Sequence, residues 1–164
     1  MTLRNLLREN KDAIVWRWFE DILAAYAGDA AAAFKRQKDP FANPVGHSLR
    51  VGTRGIFEAL VAGVDAEKVR QHLGEIIRIR AVQQFSASQA VGFVFRLKDA
   101  VRAELGGAVE DPRLSSELAK LEAEIDQVAL AAFDVFVQCR EQVCELRVNE
   151  VKRRVSWIVD KMNR

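Results

Sequence analysis

The chain has 164 residues, 49% of them hydrophobic, and sets 25 Lys and Arg against 23 Asp and Glu for a formal charge of +2. That length suits one globular domain burying roughly 70% of the surface its unfolded form exposes, with no disulfide or metal needed to hold it. The charge balance argues against nucleic-acid binding. The charged side chains spaced through residues 1–26 exclude a signal-peptide core or a membrane-crossing run there, so a cytoplasmic location is the default.

Strand signals are almost absent and helix punctuation recurs, so the chain reads as all-α with about six helices. In the first, over residues 2–26, Val15, Phe19, Ile22 and Tyr26 form an apolar stripe flanked by Trp16 and Trp18. Gly28 and Asp29 interrupt the chain before a short Ala-rich helix over 30–34 and a polar loop over 35–39. Asn43 as N-cap and Pro44 at the first helical position open a third helix, which ends near Gly63. Asp65 caps the fourth, over 66–84. Ser86 and Gln89 make a capping box for the fifth, which closes at Gly106-Gly107. Asp111 and Pro112 open a last helix that meets no breaker before Arg164. At 1.5 Å per residue, about fifty residues span roughly 75 Å, more than a compact domain of this size can cover.

Three patterns stand out as candidate sites. In the third helix Ser48, Gly52, Gly55, Ala59 and Gly63 leave one face nearly free of side chains. Interior glycines cost about 1 kcal/mol each relative to alanine, so either a closely approaching helix or a ligand must offset that loss. In the fourth helix Val69, Leu73, Ile76, Ile77 and Ile79 define an apolar arc with Arg80 near its centre and Gln83 and Gln84 inside it, while Arg78 lies opposite. An arginine there must snorkel, pair with a carboxylate or bind an anion. His47, in the first turn of its helix, is a possible metal or haem ligand, or else bonds the preceding loop; His72 flanks its apolar arc.

The last helix carries two seams. Leu118, Leu121, Ile125, Val128, Ala132, Val135 and Cys139 follow heptad spacing, and then the frame shifts. Cys144, Val148, Val151, Val155, Ile158 and Met162 form a second, offset seam that suits a dimer interface. The alternative is a second half folded back onto the domain. Cys139 and Cys144 point about 140° apart on a helix, which suits neither an intrachain disulfide nor a shared metal. The Lys152-Arg153-Arg154 run reads as a solvated face, and Phe95 lies off the apolar face of the fifth helix.

The blocks DPFANPVGHSLRVGTRGIFEAL, over 39–60, and EIIRIRAVQQFSASQAVGFVFRL, over 75–97, resemble the N-terminal domain of the Rsb-type co-antagonist proteins of bacterial stress-signalling complexes. There an Asn-Pro-x-Gly-His turn opens one helix and an Arg-x-Arg-Ala-Val-Gln-x-Phe-Ser segment links two more. The resemblance spans roughly residues 6–130. It implies a globin-like, non-haem helical domain, over 1–138, followed by a C-terminal helical extension, over 139–164. It further implies a homodimeric sensory or regulatory module of stressosome type, without catalysis or cofactor, that meets protein partners but neither nucleic acid nor membrane. In that family the helix leaving the domain lies in the dimer and leads to a partner-binding domain, an output module not found before Arg164. Candidate signal-sensing residues are His47, Gly52, Gly55, Arg80 and Gln84. A small-molecule or cofactor carrier, or an accessory subunit of a larger metabolic complex, are the competing readings. No nucleophile with a base, carboxylate pair or metal triad can be assembled without arbitrary choices.

Overall fold

Local signals in the chain start and stop most of its helices in the computed structural model, which describes residues 1–26, 32–33, 35–36, 39, 41–63 and 65–164. These are α1 (Leu3–Glu9), α2 (Lys11–Leu23), α3 (Pro44–Ala62), α4 (Ala66–Val82), α5 (Ala87–Val91), α6 (Phe93–Leu105), a 3-10 turn (Gly106–Glu110) and α7 (Pro112–Met162). No strand occurs among the described residues. The fold is all-α.

Caps explain the boundaries. Asn43 accepts from the Gly46 amide, Asp65 from Lys68, and Asp111 from Arg113 and Leu114. Gly63 ends α3 at φ 114°, a left-handed conformation that costs glycine nothing. Ser86 and Gln89 form the reciprocal capping box.

Two helices expected as single pieces are broken. Residues 2–26 divide at Asn10, whose Nδ2 donates to the Leu6 carbonyl at 2.9 Å and so competes with the helix ladder. The expected fifth helix divides at Gly92, where a Cβ would sit 2.7 Å from the Ser88 carbonyl oxygen, so only glycine passes this tight turn. The expected Ala-rich helix over 30–34 and the break at Gly28 and Asp29 fall largely outside the described residues. Within the stretch expected as a loop, Lys35 and Arg36 are helical, and Lys35 is tied to α2 by an ion pair to Glu20 at 2.6 Å.

In the packing, α4 lies against α3 on one side and the first half of α7 on the other, while α2 packs on α6 and α3, and α5 and α6 lie on α7. The core includes Ile14, Trp18 and Phe19 of α2, Leu49, Ile56 and Leu60 of α3, Leu73, Ile76 and Ile77 of α4, and Val94 and Leu97 of α6. Trp18, expected beside the α2 stripe, is fully buried, and its indole N–H donates to the Phe93 carbonyl at 2.7 Å. From α7 come Leu118, Leu121, Ile125, Val128, Ala132 and Cys139, as the first seam requires, with Phe136 buried in place of the half-exposed Val135. Helix α7 then runs on unbroken for 51 residues, about 77 Å. Past Arg140 every residue is exposed except the half-exposed Val143, so the second half is not folded back onto the domain.

Candidate functional site

The polar anomaly of α4 becomes a built environment at its C-terminus. Gln83 caps the helix, Gln84 turns left-handed at φ 63°, and the Phe85 amide donates back to the Arg80 carbonyl at 3.3 Å, which is a Schellman ending. That motif places the Phe85 ring over the side chain of Arg80, with 4.9 Å between guanidinium and ring centre. The capping box at Ser86 then turns the chain into α5 so that the Gln89 carbonyl accepts from Arg80 Nη1 at 2.8 Å. Phe93, held by the Trp18 bond and by ring stacking on Trp18, covers the guanidinium at 5.2 Å, and Tyr26 covers it at 5.7 Å. Arg80 is 1% exposed.

Its electrostatics are unusual. None of the ion pairs among the described residues includes Arg80, so the carboxylate pairing that was one expectation is not found there. Its Nε and Nη2 atoms are buried without a hydrogen-bond partner. Desolvation holds the guanidinium below the ordinary arginine range, and the facing Tyr26 phenol is pushed above its ordinary value by its own burial, with Arg80 pulling the other way. An unpaired buried cation carries a penalty of several kcal/mol. Desolvated cation–ring contacts of up to about 2 kcal/mol each offset part of it.

The other predicted site residues are scattered. Gly52 and Gly55 lie at the α3–α4 contact: a Cβ on Gly52 would meet Ile76 Cδ1 at 2.7 Å, and one on Gly55 would meet the His72 ring. Helix approach thus takes up the space on that face. His47 is exposed in the first turn of α3, its amide donating to the Asn43 carbonyl at 3.0 Å. His72 has a buried Nδ1 with no hydrogen-bond partner, 3.9 Å from Glu75. Gln84 is exposed, and its contribution is the left-handed turn. Cys144, Val148, Val151, Val155, Ile158 and Met162 all line the exposed second half of α7. Among the described residues no group of three or more His, Cys, Asp and Glu could hold a metal ion. No helix of the described residues is long and apolar enough to cross a membrane.

The model of one protein family, the RsbT co-antagonist protein rsbRD N-terminal domain, matches residues 12–151. The chain belongs to that family. The match takes in the Asn43 cap, all of α3 and α4 and the Arg80 cage, and it continues along α7 into the second seam, past the residue 130 reached by the resemblance. No match was found among curated proteins or among solved structures. An RsbRD-type N-terminal domain is a stressosome-associated regulatory domain, and such domains work in protein–protein assemblies. Sequence reasoning missed the roles of Tyr26, Phe85 and Phe93, whose aromatic character was visible but whose convergence on Arg80 required the α4–α5 turn.

Proposed function

We propose that the chain is a dimeric, non-catalytic sensory module of the cytoplasm, built of a globin-like domain over 1–138 and a helical extension over 139–164 that pairs with its copy in a second chain. The observation that carries this reading is the exposed apolar seam of α7. Val148, Val151, Val155, Ile158 and Met162 are each 49–80% exposed, and Cys144 is exposed with them. Their 4, 3, 4, 3, 4 spacing is the one that two equivalent helices bury between them. The stripe continues back through the half-buried Val137 to Phe133 and Leu130, 47% and 61% exposed, so the pairing surface reaches the body of the domain. Burying one such side chain contributes about 1.5–3 kcal/mol, enough when repeated on two helices to exceed an association cost of roughly 4–15 kcal/mol.

A signal reaching the Arg80 cage has a short route to this seam. Arg140, one residue past the last buried residue of α7, donates to the Ala81 carbonyl at 3.3 Å, so the end of α4 is fastened where α7 leaves the domain. A change in the cage would then shift the base of the projecting helix in each chain, and protein partners would read the altered dimer. Sedimentation equilibrium tests the arrangement. The full chain should have twice the protomer mass of 18.5 kDa, and truncation at Cys139 should give the monomer; a truncated protein that stayed fully dimeric would refute the role of the seam.

A further inference from the structure

The unsatisfied part of Arg80 has a defined shape. Nη1 is occupied by the Gln89 carbonyl, whereas Nε and Nη2 both lack a partner. In a planar guanidinium those two nitrogens form one edge, whose two N–H bonds run parallel and match the two oxygens of a carboxylate or phosphate. Beside Arg80 lies a cleft of about 360 Å³, whose lining includes the polar Asp21, Ser88 and Arg96 and the apolar Ile22, Ala25 and Phe93. Arg96 brings a charge already paired with Asp99 at 3.6 Å and Asp21 a negative one, whereas Arg80 has no ion-pair partner. The apolar wall suits a short hydrocarbon body.

We propose that this cleft binds a small organic monocarboxylate, its two oxygens taken by the Nε and Nη2 edge of Arg80 and its hydrocarbon part lying against Ile22, Ala25 and Phe93. This names the ligand class for the sensory reading above and rests on it. The Nε and Nη2 edge is buried, so the carboxylate reaches it only when a ring over Arg80 moves, and of the three rings Tyr26 and Phe85 are the half-buried ones. Phe85 belongs to the Schellman turn that ends α4, next to the Ala81 carbonyl held by Arg140, so ligand entry acts at the fastening point of α7.

The test is thermal unfolding and calorimetric titration of the full chain with sodium acetate, propionate and butyrate, beside sodium phosphate and sodium chloride at equal ionic strength. The expected result is a saturable rise of the unfolding midpoint with a carboxylate, roughly 5–10 °C at a hundredfold excess over Kd, beyond any effect of chloride. It should vanish in Arg80→Met and weaken several-fold in Arg96→Gln, an exposed position whose loss leaves the core intact. Ultraviolet titration of Tyr26 in the unaltered protein gives a second readout: a bound carboxylate neutralises Arg80 and moves the tyrosine midpoint up. Saturation by phosphate alone would overturn the carboxylate assignment. No effect beyond chloride and an unmoved tyrosine midpoint would overturn the site altogether. Sedimentation in the same buffers reports the dimer separately, so a dimer without carboxylate binding sinks only this inference.

Discussion

At the scale of single residues, the ending of α4 concentrates the chain's unusual choices. Gln84 adopts φ 63°, a left-handed conformation that a side chain disfavours by about 1–2 kcal/mol and glycine does not. Gln84→Gly should therefore raise stability by about 1 kcal/mol in urea denaturation, with no change in the slope. Tyr26 is the only tyrosine, so the tyrosinate absorbance band follows it alone. Burial raises its folded pKa, so the unfolded chain releases the proton first as pH rises. The neutral phenol's contribution is fully present below about pH 10 and is lost as pH rises through the folded value. Tyr26→Phe should flatten the fall of stability above about pH 10, and a tyrosine midpoint at or below about 10 in the unaltered protein would contradict the burial argument. The position of Arg80 in an apolar arc was legible from helical spacing. Its surroundings were not, because Tyr26 lies 54 positions away and Phe93 lies across a turn whose direction is set by the Gly92 backbone.

At the scale of elements, the glycines of α3 and α4 separate packing from propensity. Gly52 faces the fully buried Ile76, which has nowhere to go. Overpacking there costs about 1–3 kcal/mol against a helix-propensity gain of about 1. Gly52→Ala should lower stability by about 1 kcal/mol, measured by chemical denaturation. Gly74, in α4, has nothing within 4 Å of an added Cβ, so Gly74→Ala should stabilise by about 0.5–1 kcal/mol. Equal effects of the two substitutions would mean that α3 and α4 do not meet as closely as described. The starts and ends of most helices were readable because a cap is a local arrangement of three or four residues. The breaks at Asn10 and Gly92 were not, since each depends on whether a local side chain or turn prevails over continued helix, and the surrounding core decides that.

At the scale of the whole molecule, the asymmetry of α7 sets the behaviour. Its first half is covered by α4, α5 and α6, whereas its second half carries valines, Trp157, Ile158 and Met162 into solvent. An isolated helix of this kind gains little from propensity alone and relies on packing for its stability. Val155→Glu puts a charge on each side of the proposed seam and should convert the dimer to a monomer of 18.5 kDa without lowering the domain's unfolding midpoint, read by sedimentation and calorimetry. A Val155→Glu protein that remains dimeric would move the interface elsewhere.

The sequence by itself determined the helical class, most of the caps, the apolar spacing along the last helix and the family, because each is carried by local residue patterns. The tertiary structure decided what those features meet. It buried Trp18, set Ile76 and His72 into the glycine face, closed three rings over Arg80 while leaving one edge of the guanidinium without a partner, and carried α7 past the domain in one piece. Those outcomes rest on contacts between segments far apart in the chain, which periodicity and capping do not encode.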